Sequence, residues 1–389
     1  MGKSLENLGC QRESFSLPEE VHYLNCAFIG PLPIATEEAG IEGILQKQNP
    51  TKIQPSDFFT KSDQVREAFA KLVGVTQSNR ISIIPSASYG LAVAARNLRV
   101  EKGQNIVLLH QQFPGNVYTW RRKADDCEAQ IRTVVPPDGQ VRGAEWNERI
   151  LEAIDLNTAV VDVPNVHWTD GTVIDVSAVA ARAREVGAAL VIDATQSVGV
   201  MPFDVSEIQP DVLVVAGYKW LLGPYSIGAA YYGSRFDEGV PLEENWIARE
   251  KSEVFGDLVN YQPNYHPGAI RYDVGERSNP ILVPMLLASL GLISEWGPRR
   301  IQRYCHELGN IFIDEAHSIG FLLEEEKWRS SHLFGLQLPK RFDPTSIKNK
   351  LEDHNIFVSR RANALRISLH VYNDENDVEA LLDALRAFA

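Results

Sequence analysis

The chain has 389 residues, 44% of them hydrophobic and 23% charged, an ordinary globular composition that excludes disordered and collagen-like classes. Acidic side chains outnumber basic ones by 51 to 38, for a formal charge of −13. That balance argues against nucleic acid and against an anionic membrane surface, since both recruit basic faces.

At roughly 100–200 residues per domain, the length allows two or three domains. In chain order, residues 15–49 are expected to run between two domains, with Asn25, Gly30 and Pro31 marking a loop. From about 75 to 235, short β-rich runs alternate with helical patterns. Strands are predicted at 81–84, 105–109, 131–134, 159–164, 189–193, 212–216 and 228–232. Helices are predicted at 88–98, 117–124, 146–154 and 176–186. Several strands are unbroken apolar runs, as expected when both faces are covered. The alternation predicts an α/β fold with a mostly parallel seven-stranded sheet sandwiched by helices.

The texture changes near 256. A stretch rich in Gly, Pro, Asn and Tyr at 259–268 breaks the rhythm. Helical patterns follow at 280–295 and 299–318, then short strands near 332–338, 357–360 and 364–368. The last segment, 374–388, carries Val378, Leu381, Leu382 and Leu385 at helical spacing. The expected organisation is a large α/β domain over 15–255 and a smaller α+β domain over 256–389. The N-terminal segment 1–49 is expected to pack partly on the smaller one.

Cys10, Cys26, Cys127 and Cys305 show no close spacing, so neither a zinc site nor a disulfide framework is indicated. Free thiols in a reducing cytoplasm are the simplest reading. The first residues lack the apolar core of a secretory signal, and no apolar run approaches the ~18 residues of a membrane span. The G-x-G-x-x-G and G-x-x-x-x-G-K-[ST] phosphate cradles are both missing.

Two strand ends carry the chemistry. Ala189-Leu190-Val191-Ile192-Asp193 ends a very apolar strand on a carboxylate, which burial penalises unless it is paired. The next strand runs into Gly217-Tyr218-Lys219-Trp220, placing a lysine in an apolar, glycine-bounded turn. Such a lysine has a depressed pKa and is available as the free amine that a Schiff base needs. A buried cationic pyridinium is the kind of partner that stabilises Asp193.

The pair VIDATQS (191–197) and AGYKWLLGP (216–224) resembles the class V aminotransferase family of pyridoxal phosphate (PLP) enzymes, fold type I. The superfamily includes cysteine desulfurases, kynureninases and isopenicillin N epimerase-like proteins. The resemblance covers most of the chain, from Tyr23-Leu24-Asn25 to Leu365-Arg366-Ile367-Ser368. It implies that Lys219 bonds PLP covalently and shuttles the substrate α-proton, and that Asp193 pairs with the pyridine nitrogen. Gln196 and Asn165 are implied near the cofactor's phenolic oxygen. Ser86, Ala87 and Ser88 match the phosphate loop at a helix start, where free N–H groups and the helix dipole favour an anion. Phe113 matches the ring-stacking residue, and Arg366 the arginine that grips the substrate carboxylate. Asn25 and His167 are expected to face the substrate.

The segments 166–171 and 271–279 resemble the isopenicillin N epimerase-like subfamily. In the superfamily the second segment reaches the phosphate of a neighbouring subunit. The resemblance therefore implies a homodimer with shared active sites, with Ser278 or Arg277 as the contact.

Departures from the family pattern matter too. Phe113 stands where many desulfurases have His. Ala216 cannot bond the phosphate, so the Tyr218 hydroxyl is expected to serve instead. No cysteine falls within 352–364, where desulfurases carry their persulfide-forming residue. Plainer roles stand beside these. Asp193 can cap a turn, Ser88 can cap a helix, Phe113 can be core, and Arg366 can pair with a structural carboxylate. His167 is equally a general acid or base or a satisfied buried histidine, and Cys26, beside Asn25, is a candidate nucleophile or, more simply, a small residue that fills space. Amino transfer is the first expectation because it needs no extra nucleophile. C–S or other β-elimination is second and epimerisation an alternative. A silent scaffold on the same fold is disfavoured by the intact Lys219, Asp193 and Arg366.

Overall fold

The computed structural model of the chain describes residues 7–139, 141–338, 343–361 and 364–387. Parts of two predicted segments, residues 1–6 and 388–389, lie outside the described residues. β1 (His22–Tyr23), α1 (Ile34–Gln46) and α2 (Thr60–Leu72) come first. An alternating run follows: β2 (Ile81–Ile84), α3 (Ala87–Asn97), β3 (Asn105–Leu109), α4 (Pro114–Cys127), β4 (Gln130–Val134), α5 (Gly143–Ala153) and β5 (Thr158–Pro164). It continues with α6 (Val176–Val186), β6 (Ala189–Asp193), α7 (Val205–Ile208), β7 (Val212–Ala216) and β8 (Gly228–Tyr232). Turns and short helical segments lead to α8 (Leu282–Trp296) and α9 (Pro298–Ser318). The chain then forms β9 (Leu333–Gln337), α10 (Pro344–Glu352), β10 (Ile356–Phe357), β11 (Ser359–Arg361), β12 (Ala364–Ser368) and α11 (Glu375–Arg386).

Seven strands form one sheet in the order β2-β8-β7-β6-β5-β3-β4. The pairs from β7 to β4 are parallel, and β8 runs antiparallel to both its neighbours. The mostly parallel seven-stranded sheet expected from sequence is what forms. Every residue of β3, β6 and β7 is buried, which is why these strands read as unbroken apolar runs. One face packs on α2, α5, α6 and α8 through residues such as Phe69, Trp146, Val179 and Leu286. The other face packs on α3 and α4, through Leu91, Val93 and Trp120.

A separate apolar cluster joins α9, α10 and α11 to the antiparallel sheet β11-β12-β9. Leu8, Phe15 and Leu24 from the N-terminal segment are part of it. β1 pairs with β10, and Asn25 bridges to Ser368. The single strand predicted at 357–360 is in fact two. Phe357 pairs with Tyr23, whereas Ser359 pairs with Arg366, and buried Val358 separates them. α1, α2, α7 and α10 fall outside the helical patterns expected from sequence.

Candidate active site

β6 and β7 lie side by side and parallel, with Asp193 opposite Val214. Their carboxyl ends therefore deliver the turns that follow to the same edge, where open α/β sheets bind ligands. A cavity of about 260 Å³ opens there. Of the residues singled out by sequence, Ser86, Ala87, Ser88, Phe113, Asp193, Gln196, Tyr218 and Lys219 all line it. They come from the starts of α3 and α4 and from the turns after β6 and β7.

Lys219 is only 5% exposed. Its pKa is pushed down to about 8, first by burial and then by the Arg366 charge, against a smaller opposing pull from Asp193. Its Nζ lies 5.4 Å from the Phe113 ring centroid and 5.5 Å from that of Tyr218. Asp193 is 8% exposed, and its Oδ1 accepts from the Thr195 N–H at 3.0 Å. Neither residue forms an ion pair among the described residues. Two buried opposite charges thus share one cavity without meeting, a costly arrangement unless a polar group fits between them.

The start of α3 offers a second polar end. Ser86 caps the helix by accepting from Tyr89 N at 3.1 Å, and its Oγ lies 3.0 Å from Ser88 Oγ. The N–H groups of Ala87 and Ser88 are first-turn donors with no intrahelical acceptor. Together with the helix dipole they suit a phosphate. Gln196 is held at both ends: Oε1 accepts from Trp220 Nε1 at 2.8 Å and Nε2 donates to Ala27 O at 3.2 Å. Tyr218 packs its ring 4.6 Å from that of Tyr225, and burial raises its pKa. Ser226, in the cavity wall, has a positive φ, an uncommon conformation for a residue with a side chain. Gly30 passes so close to the lysine turn that a Cβ would stand 2.3 Å from Lys219 O.

The remaining predicted residues do not form the wall. Asn165 turns inward, and its Oδ1 accepts from Ser197 Oγ. Asn25 Oδ1 accepts from Ser359 Oγ at 2.7 Å. His167 packs edge-on to Trp146 and bonds Thr169 Oγ1 through Nδ1 at 2.7 Å, leaving Nε2 buried without a partner. Arg366, 1% exposed, donates to Trp168 O at 2.8 Å and Ser359 Oγ at 3.3 Å, and Nε has no partner. Burial, and then Arg361, push its pKa down to about 9. No carboxylate pairs with it among the described residues. Ser278 lies in a different groove, beside Lys47 and Lys61. Arg277 is engaged in a buried network with Asp273 and Arg66, each guanidinium 2.5 Å from Asp273 Oδ2.

The matching family model, Aminotransferase class-V, covers residues 53–381. The chain belongs to the class V aminotransferase family. The family's cofactor is PLP, and the unpaired Asp193 and Lys219 with the open helix start fit it. An uncharacterized aminotransferase of Bacillus subtilis, YcbU, is 25% identical over 84% of this chain and 84% of its own length. Isopenicillin N epimerase of Streptomyces clavuligerus is 24% identical over 94% of both chains. A variant of C-DES with glycine covalently linked to its PLP cofactor shares the fold at a TM-score of 0.84 and 19% identity. That match covers 96% of this chain and 98% of the other.

Within this class V member, the site also holds residues that the sequence reading passed over. Thr195 Oγ1 accepts from Ala216 N at 3.1 Å, tying the ends of β6 and β7 together. Trp168, Gln112 and Asn116 line the cavity. Asp162 lies beneath it, and its signal was visible as a lone acid inside the apolar run 159–164. Cys26 and Cys305 are fully buried, and burial raises both thiol pKa values. No thiol lines the cavity among the described residues. No group of three or more His, Cys, Asp or Glu is placed to hold a metal, and no helix is long and apolar enough to cross a membrane, among the described residues.

Proposed function

We propose that the protein is a PLP-dependent aminotransferase acting on a small amino acid or a derivative of one. One observation carries the reading: the cavity brings together a buried unpaired amine and a buried unpaired carboxylate with no thiol in its wall. When bound, PLP supplies an electron sink for the bonds at the substrate α-carbon. Asp193 keeps a proton on the ring nitrogen. Lys219, a free amine at a much higher fraction than an exposed lysine, takes and returns the α-proton. The Ser86–Ser88 turn holds the phosphate, and Phe113 covers one ring face and excludes water. Gln196 holds the phenolic oxygen side. Arg366 is the buried cation that a substrate carboxylate satisfies, with Asn25 orienting Ser359 beside it.

The working unit in this reading is a cytoplasmic homodimer in which the partner's Ser278 reaches the phosphate. Its support is the exposure of five large apolar side chains near the N-terminus, Phe28, Ile29, Ile41, Ile44 and Leu45, each at least 41% exposed. Incubation of the yellow enzyme with a panel of amino acids tests the reaction type. Conversion to the pyridoxamine form without added keto acid is the expected result. Release of pyruvate with ammonia or sulfide, without that conversion, refutes amino transfer in favour of elimination.

A further inference from the structure

A polar cluster beneath the cavity has no part in the chemistry above. Asp162, in the middle of β5, is fully buried. It precedes Pro164 by two residues, and Pro164 pairs with Asp193. The two carboxylates therefore share one face of neighbouring strands. Trp120 Nε1 donates to Asp162 Oδ2 at 2.5 Å, and Asn116 Nδ2 donates to the same oxygen at 3.2 Å. Both donors belong to α4, directly after Phe113, and Asn116 lines the cavity.

The direction of these bonds is chemically determined. An indole N–H only donates, and an ionised carboxylate only accepts. The carboxylate therefore selects the Asn116 rotamer, with the amide NH2 toward Asp162 and the carbonyl away from it. Asn116 Oδ1 is buried and has no donor among the described residues. A buried acceptor without a donor is destabilising, and a donor entering the cavity relieves it.

We propose that Asp162 is a positioning residue: its carboxylate anchors α4 through Trp120 and turns the Asn116 carbonyl to accept, alongside Asp193, from the ring N–H of the bound cofactor. The arrangement needs an ionised carboxylate. Burial, and then the Asp193 charge, push the Asp162 pKa up to about 7. Among the described residues, Asp193 is the charged group that acts on it. α4 and the turn before it present neutral Asn116, Trp120 and Gln112, and β3 adds apolar Ile106 and Leu108 to the surrounding cluster. Orientation of Asn116 is therefore lost as the pH falls through this range.

The test is titration of the full-length chain, stripped of cofactor, with PLP, followed by absorbance. Wild type, Asp162→Asn, Asn116→Ala and the double variant are compared at pH 6 and 8. At pH 8 each single variant should bind PLP roughly tenfold more weakly, the loss of one charge-assisted or buried bond. The double variant should be no weaker than either single one, because both changes remove the same bond. Part of the wild-type loss of affinity at pH 6 should be absent in Asn116→Ala. A structural role alone would lower thermal stability without this coupling or this pH signature. Unchanged affinity in Asp162→Asn, or losses that multiply in the double variant, overturn the proposal. Should Asp162→Asn not fold, Asn116→Ala decides alone: unchanged affinity or an unchanged pH dependence overturns it. The proposal rests on the cofactor and not on the reaction type. A chain that eliminates instead of transaminating still shows all these constants as stated.

Discussion

Raising the pH on the cofactor-free chain should bring Lys219 into its reactive form well before any exposed lysine. With a pKa near 10.5, an amine is about 0.03% unprotonated at pH 7; with one near 8 it is about 9%, a gain of roughly 300-fold. Burial is the main cause of the shift, Arg366 adds to it and Asp193 opposes it. The assay is the rate at which PLP condenses on Lys219, trapped by borohydride and counted by peptide mass across pH 6–11. The rate should reach half its maximum near pH 8 and level off above about 9. Arg366→Ala removes a repelling charge, so the midpoint should rise; Asp193→Asn removes an attracting one, so it should fall. The same shift has a stability signature. Between about 8 and 10.5 the unfolded chain binds the proton that the folded chain has lost. Stability should therefore rise with pH across that window, by up to about 3 kcal/mol. Below it both states are protonated and this contribution is flat. A trapping rate that climbs steadily through pH 10, with no midpoint change in Arg366→Ala, would refute the reasoning.

Other expectations follow from the same geometry. Arg366→Ala should weaken amino-acid binding roughly 10- to 100-fold, the loss of a charge-assisted contact, while the protein stays yellow; loss of colour would mean that Arg366 is structural. Asp273→Ala should cost about 3–5 kcal/mol in urea denaturation, because Arg277 is left buried without a counter-charge and Arg66 keeps only the half-exposed Asp63, at 3.7 Å. A cost under about 1 kcal/mol would show that the two guanidiniums find other partners. Cys26→Ala with Cys305→Ala should leave turnover within about twofold despite some loss of core packing. A large fall in turnover in a folded double variant would return a thiol to the mechanism.

The two charges that define the site were legible because each follows an apolar strand, where a charged residue stands out. The sheet was legible for the complementary reason, since strands covered on both faces need apolar residues throughout. α1 escaped because its pattern is inverted. Its buried face is Thr36, Gly40 and Gly43, small enough for α8 to approach, while Ile41, Ile44 and Leu45 point outward. Asn165, Asn25 and Arg366 show a different limit. A motif names a position, but the direction of its side chain depends on partners such as Ser197 and Ser359 that are remote in sequence. Asp162 stood out in its strand, yet its meaning required Trp120 and Asn116, 42 and 46 residues earlier.

The passage of residues 24–30 between the small sheet and the lysine turn sets the order of assembly during synthesis. Asn25 is bonded to Ser359, 334 residues later, while Gly30 N donates to Tyr218 O. At ~5–20 residues per second, a ribosome takes about 15–70 s to make the intervening chain. Leu24, Cys26 and Ala27, all fully buried in the finished protein, emerge long before the strands that cover them. For that interval they are available to chaperones. The large sheet can be nearly complete while Arg366, on the last strand of the small sheet, has yet to be made.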